Sequence, residues 1–304
     1  MKTLFKKIKK KIYNYVNFDN KINTVEKLVI NELDKQKILL GKLLTESLLR
    51  KGTLKNIHEA EFSVFSQGGD DGIIQYLISK VKTPKTFVDI GAGTYTQPDT
   101  RLLLQHNNWS GLAIDGSKVD SLKNSEFYSI FDIEAKQAFV TMENINDLIK
   151  FKEIGLFNID IDGNDYWIWK ALKINPDIVI VEYNSFFGLK PISIPYRADF
   201  VRTKSDYGTL YCGASLMSLC DLAKEKGYFF VGCNRQGINA FFVKKDKIGD
   251  LRPLTPEEGF VMATVKEHRD KNNNRYFMKS EEAINFFLKK APFYNTRTNK
   301  IETI

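Results

Sequence analysis

Three acids in this chain are placed to do proton or cation chemistry. Asp160 and Asp162 in "NIDIDGNDYWIWK" (Asn158 to Lys170) and Glu182 in "IVIVEYN" (Ile178 to Asn184) each close an apolar run. Acids ending neighbouring strands point into one cleft. There they can take a proton from a hydroxyl, balance a nearby positive charge or, with Asn184, hold a hard divalent cation. Nothing in the spacing fixes a coordination number, so a metal-free site is expected. A second set lies upstream. "FVDIGAG" (Phe87 to Gly93) carries Asp89 on a run ending in Gly91 and Gly93, which allow a sharp turn and bring backbone N–H groups against a ligand. "AIDGS" (Ala113 to Ser117) ends in Asp115 and Gly116, where an acid accepts from two ribose hydroxyls.

These residues act together only if strands deliver them to one edge. The runs Thr86 to Gly93, Gly111 to Ser117, Phe127 to Ile133, Gly155 to Asp162 and Asp177 to Asn184 are β-rich and alternate with helical stretches. That pattern predicts a parallel sheet covered on both faces, with ligands at the carboxyl ends of the strands where their order reverses. "YFFVGC", the polar turn "NRQG" and "INAFFVKKD" read as a hairpin. The fold class is therefore α/β: a doubly wound, mostly parallel seven-stranded sheet ending in an antiparallel hairpin, with an N-terminal helical extension. A G-x-G-x-x-G dinucleotide fingerprint would need glycine at 96, where Thr96 stands. In "NDYWIWK", Asn164 or Asp165 caps a helix whose packed face holds Trp169, Ala171 and Leu172, while Tyr166 and Trp167 either join the core or stack on a sugar at the cleft mouth.

The division expected is 1–60 as a basic helical extension, 61–250 as the ligand-binding domain and 251–304 as a C-terminal loop and helical extension. Residues 1–60 hold 14 basic and 6 acidic residues, so the whole net charge of +8 sits there. Phe5, Ile8, Ile12 and Val16 lie at helical spacing among lysines, a pattern suited to peripheral contact of residues 1–16 with an anionic membrane. The apolar stripe Leu28, Val29, Leu33, Leu40, Leu43, Leu44 and Leu48 is expected to pack on the main domain, with homodimerisation as its other use. No apolar run approaches the ~18 residues of a bilayer span. The N-terminus makes a poor secretory signal, so a cytoplasmic protein is expected, peripheral at the inner membrane face if residues 1–16 bind there. Cys212, Cys220 and Cys233 lack ligand or disulfide spacing, and the scattered His58, His106 and His268 suggest no histidine-centred chemistry.

The motifs taken together resemble the class I S-adenosylmethionine-dependent methyltransferases, and within them the FkbM-like family. The stretches that carry the likeness are "EFSVFSQGGDDGIIQYL" from Glu61, "FVDIGAG", "AIDGS", "NIDIDGNDYWIWKAL", "IVIVEYN", "GASLMSLCDLAKEKGY" from Gly213 and "GINAFFV" from Gly237. They span roughly Glu61 to Asp246. The resemblance implies a Rossmann-like methyltransferase fold and S-adenosyl-L-methionine as cofactor. Asp89, Gly91 and Gly93 would surround its methionyl part, Asp115 with Gly116 its ribose, and Asp132 with Ile133 its adenine. Asp160 would face the sulfonium and the incoming hydroxyl, beside Asp162 and Glu182. Ser66, Gln67 and Asp71 would either close over the cofactor or cap the helix they begin. Gly69 and Asp70 depart from the bulkier residue and Glu expected there. The implied activity is O-methylation of a carbohydrate or nucleotide-sugar intermediate in surface polysaccharide (capsule or lipopolysaccharide) biosynthesis. A non-catalytic scaffold using its N-terminal helices is the alternative. Nucleic acid is not expected, because the main domain is charge-neutral.

Overall fold

The computed structural model describes residues 2–116 and 126–303, with side chains from residue 21 onward except those of 23, 27, 126 and 127. Its centre is a sheet of β1 (Thr86–Ile90), β2 (Ser110–Asp115), β3 (Ile133–Gln137), β4 (Leu156–Ile159), β5 (Ile178–Glu182), β7 (Tyr228–Cys233) and β8 (Asn239–Lys244), in the order β3-β2-β1-β4-β5-β8-β7. The first five strands run parallel; β8 runs antiparallel to both β5 and β7. This is the Rossmann-like methyltransferase topology. Its strand order reverses between β1 and β4, which opens a crevice at their carboxyl ends.

Apolar side chains on both faces of the parallel strands produce this arrangement. All four residues of β4 are buried, as are Ile178 to Val181 of β5. One face packs on Trp169 of α6 (Asp165–Ala171) and Leu219 of α7 (Leu216–Lys226). The other packs on Ile73 and Leu77 of α2 (Asp70–Lys80) and Leu103 of α3 (Arg101–Gln105). Covering both faces leaves only the strand ends open for ligands.

The third strand departs from expectation. Phe127 to Ile133 is not a strand: Glu126–Ile130 is the helix α4, and β3 begins only at Ile133. As the edge strand, β3 alternates a buried Ile133 and Ala135 with an exposed Glu134 and a part-buried Lys136. A half-solvated edge strand shows this two-residue period instead of a continuous apolar run, which is why the apolar stretch before it misled.

The N-terminal extension is one helix, α1 (Lys2–Leu49). Its apolar stripe does not pack as expected, because Leu28, Val29, Leu33, Leu40 and Leu43 are exposed. The helix docks on a seam of Asp34, Gly41, Thr45 and Leu48, of which only Leu48 belongs to that stripe. Gly41 abuts Val64, Thr45 and Leu48 are buried, and Asp34 pairs with Arg101, whose guanidinium lies 4.1 Å over the Phe65 ring. At Gly41 the helix approaches so closely that an added Cβ would stand 2.7 Å from Val64. The side chains of Phe5, Ile8, Ile12 and Val16 lie outside the described residues.

Beyond residue 250 the chain is more strand than helix. The expected helix around Glu281 is present as α9 (Ser280–Ala283), continued by a π turn over Ile284–Leu288. Two hairpins accompany it: β9 (Glu267–Arg269) with β10 (Arg275–Phe277), and β11 (Pro292–Asn295) with β12 (Lys300–Thr303). β11 also pairs with the short β6 (Ile192–Ser193), and Phe187, Tyr211, Phe287 and Phe293 form a satellite core between these segments.

Candidate active site

The turn after β1 fixes the crevice. Gly91 has φ +89°, and a Cβ on it would stand 1.6 Å from the Asp160 carbonyl oxygen. Only glycine allows the ends of β1 and β4 to meet this closely. Gly93, at φ +55°, has open space where a side chain would be, and its N–H donates to Asp115 Oδ2 at 3.0 Å. Asp89 is buried inside the frame. It accepts from Thr100 Oγ1 at 2.6 Å and from Asn158 Nδ2 at 3.0 Å, tying β1 to β4 and to the loop before α3. Desolvation pushes its carboxyl upward, partly offset by those two donors.

Three cavities meet in the crevice, and Gln67 and Asp160 line all three. The first, about 290 Å³, lies between Gly91, Gly93, Asp70, Asp99, Asn158 and Asn239. The second, about 660 Å³, is bounded by Asp115 and Gly116 and by Ala138, Phe139 and Val140. The third, about 390 Å³, contains Asp162, Glu182, Arg202 and His268. Gln67 thus sits at the junction, where Gln236 Nε2 donates to its backbone carbonyl at 3.1 Å.

Asp160, Asp162 and Glu182 do come together, with carboxylate oxygens within 4.8 Å of one another. Asp160 opens onto the cleft yet lies deep among protein atoms. Lost solvation and the Asp162 charge push it to about 6, against a hydrogen bond from Glu182 that favours its ionised form. Glu182 is raised well above the usual carboxylate range by burial and then by the Asp160 and Asp162 charges. Asp162 adopts φ +56°, uncommon outside glycine, and pairs with Arg202. Arg202 also donates from Nε to the Thr209 carbonyl at 2.7 Å. Asp165 holds the intervening loop, accepting from Ile161 N at 2.8 Å and Gly163 N at 2.9 Å. The three oxygens are a donor set suited to a hard divalent cation. Asn184 does not join them: its amide nitrogen donates to the Leu210 and Cys212 carbonyls, and its oxygen accepts from Phe186 N.

Asp132 and Ile133 are misplaced by the sequence reading. Asp132 accepts from Ser110 Oγ at 2.5 Å at the amino-terminal entry of β2, and Ile133 is a buried residue opening β3. Both stand at the opposite edge of the sheet from the crevice. The segment leaving the carboxyl end of β3, Ala138 to Val140, lines the second cavity instead.

Asp71 is also structural. Its Oδ2 accepts from the backbone of Val64, Phe65 and Ser66, each at 2.8 Å, and Ser66 Oγ in turn accepts from Asp71 N. Its neighbour Asp70 does reach the first cavity, bonded by Asn234 and Asn239 and pushed to about 6 by burial. Asp99, beside it, is raised well above the usual range by desolvation and then by the Asp70 charge. Sequence reasoning missed Asp99, Asn234, Asn239, Arg202 and His268. "QPDT" directly after the glycine turn was the available signal for Asp99.

Trp167 and Trp169 belong to the core. Trp167 Nε1 donates to the Ile194 carbonyl at 2.9 Å, and Trp169 packs on Tyr228 and Phe242. Asn164 precedes α6 without a side-chain bond to it and donates instead to the Arg197 carbonyl.

No family model matches the chain, and no curated protein matches it in sequence. Solved structures similar to it include an S-adenosylmethionine-dependent methyltransferase from Clostridium acetobutylicum, at 16% identity and TM-score 0.37, covering 58% of this chain and 90% of that one. The N-terminal domain of EvdMO1, crystallised in the presence of SAH and D-fucose, is 11% identical with TM-score 0.39, covering 72% of this chain and 97% of that one. A putative hemolysin from Lactococcus lactis is 14% identical with TM-score 0.39, covering 66% and 96%.

Proposed function

We propose that the chain is an S-adenosylmethionine-dependent O-methyltransferase whose acceptor is a hydroxyl of a carbohydrate or nucleotide sugar, used in surface polysaccharide assembly. The observation that carries this reading is the meeting of three cavities at Asp160 and Gln67, in a crevice framed by Gly91, Gly93 and Asp115. The residues present fit the cofactor. Asn158 Oδ1 and Asn239 Oδ1 are buried on the wall of the first cavity without hydrogen-bond partners. With Asp70 and Asp99 they form an acceptor-rich surface for the methionyl ammonium. The Asp115 carboxylate stands in the second cavity for the ribose hydroxyls.

When bound, S-adenosylmethionine supplies an electrophilic methyl group on a sulfonium with a thioether leaving group. The chain's own work is alignment and proton handling. Asp160, near 6, is suited to receive the acceptor hydroxyl's proton at neutral pH. Glu182 orients Asp160 through the hydrogen bond between them, and Arg202 holds Asp162 on the acceptor side. Asp162, Glu182, Arg202 and Ser185 give the third cavity polar walls suited to a hydroxyl-rich acceptor.

Calorimetric titration with S-adenosylhomocysteine is the primary test, followed by mass spectrometry of a glycan-precursor panel for the gain of one methyl group. The exposed Leu28, Val29, Leu33, Leu40 and Leu43 favour a second reading, a methyltransferase-like scaffold that holds a partner through α1. That reading requires no binding of S-adenosylhomocysteine, which would sink the enzyme proposal.

A further inference from the structure

His268 comes from the β9–β10 hairpin, outside the stretch Glu61 to Asp246 that carries the sequence motifs, yet it forms part of the wall of the third cavity with Asp160, Asp162 and Glu182. The ring is 3% exposed, and its Nε2 has no hydrogen-bond partner. A buried polar atom left without a partner is destabilising, so such an atom calls for a reason. Its aromatic neighbours cannot supply the bond: Phe186 stands edge-on at 5.3 Å and Phe287 at 5.9 Å. The hairpin that carries the ring is clamped to the site. Thr209 N donates to the Arg269 carbonyl at 2.8 Å, Arg269 N donates to Thr209 Oγ1 at 3.0 Å, and the Thr209 carbonyl accepts from Arg202. Gly208 lies so close that a Cβ there would stand 2.3 Å from the Arg269 carbonyl oxygen. One short loop therefore fixes both the Arg202 guanidinium and the His268 ring. Burial and the Arg202 charge hold the imidazole below the ordinary histidine range, against a hydrogen bond with the Met278 backbone. Near neutral pH the ring is uncharged, with one nitrogen able to accept.

We propose that His268 is a substrate-positioning residue whose Nε2 accepts a hydrogen bond from a hydroxyl of a polyhydroxyl acceptor lying in the third cavity. The bond completes an otherwise unpartnered nitrogen and selects acceptors with a donor at that place. The assignment rests on the O-methyltransferase reading for its consequence in turnover, but the contact itself can be measured without cofactor.

The chain has only three histidines, so ¹⁵N-histidine labelling of the full-length protein gives ring signals assignable with one variant each. Glycerol, methyl α-D-glucoside and UDP-glucose serve as probes. The expected result is a His268 Nε2 that is unprotonated at neutral pH and moves upfield with at least one probe, while His58 and His106 stay in place. His268→Phe keeps the aromatic packing and should weaken that probe's calorimetric affinity at least fivefold; His268→Gln, which retains an acceptor, should recover most of it. An Nε2 already protonated at neutral pH, a resonance unmoved by all three probes, or equal affinity in wild type and His268→Phe would each overturn the proposal. Failure of S-adenosylhomocysteine to bind alongside a probe-dependent shift would instead strike only the methyltransferase reading.

Discussion

Replacing Gly91 by alanine tests whether the crevice depends on the close approach of two strand ends. The added Cβ would stand 1.6 Å from the Asp160 oxygen and 2.7 Å from its carbonyl carbon, where ordinary contact begins near 3.4 Å. Relief requires β1 and β4 to part at their carboxyl ends, at the expense of the 2.9 Å bond from Asp160 N to the Ile90 carbonyl. A left-handed alanine costs about 1–2 kcal/mol and a lost backbone hydrogen bond about 1 kcal/mol. Together these give roughly 3 kcal/mol, a fall in Tm of about 5–10 °C. Gly93→Ala is the internal control. It shares a positive φ but meets nothing within 4 Å, so its Tm should fall by only about 2–4 °C. Its methyl would project where two cavities meet, so its S-adenosylhomocysteine affinity should fall out of proportion to its stability. Thermal unfolding and calorimetry on both variants separate contact from dihedral strain. Equal Tm losses in the two would refute the reasoning.

Asp115→Ala should leave Tm within a few degrees and weaken S-adenosylhomocysteine roughly 10-fold to 100-fold, since about 1.5–3 kcal/mol attaches to hydrogen bonds with a charged acceptor; unchanged calorimetric affinity would remove Asp115 from the ribose site. Asp70 and Asp160 at about 6 and Asp165 at about 7 all stand above their unfolded values, so the folded state holds extra protons in that range. Their stabilising contribution is complete below about pH 4 and is lost as pH rises through 6 to 7. Asp70→Asn, Asp160→Asn and Asp165→Asn should therefore each flatten the decline of Tm between about pH 5 and pH 8 relative to wild type. Variants that leave the slope unaltered would refute the raised values. Turnover should run the other way, falling about tenfold per pH unit below 6 because Asp160 must be ionised to accept a proton. Finally, turnover should withstand EDTA, with Glu182 and Arg202 already compensating Asp160 and Asp162; loss restored by Mg²⁺ would assign the three acids to a cation.

The central sheet was legible because burial on both faces writes itself as unbroken apolar runs, as in "IVIVE" and "LFNI". The acids at the ends of these runs were legible for the same reason: Asp160 and Glu182 stand where an apolar pattern stops. β3 was not, because an edge strand has one wet face and its alternation was weaker than the apolar helix before it. Asp132 and Ile133 went astray with that strand. The docking of α1 was legible only at Leu48, because Gly41 and Thr45 make the rest of the contact and small residues carry no hydropathic signal. His268 reaches the cavity through a hairpin in a polar run, "KEHRDKNNNR", where the Asp270 turn was the only cue. Its neighbours are remote in sequence, and one-dimensional periodicity does not record such contacts.

The two halves of the crevice are held by different parts of the fold. Gly91, Gly93, Asp115 and Asp160 stand at the ends of sheet strands, and Gly91 in particular cannot change without parting β1 from β4. Much of the third cavity's wall, including Arg202, Leu210, Ala263 and His268, comes from connections and hairpins outside the seven strands. Such segments can be exchanged or lengthened while the sheet is left intact. Changes in these connections would reshape the third cavity while leaving the glycine turn and the sheet untouched.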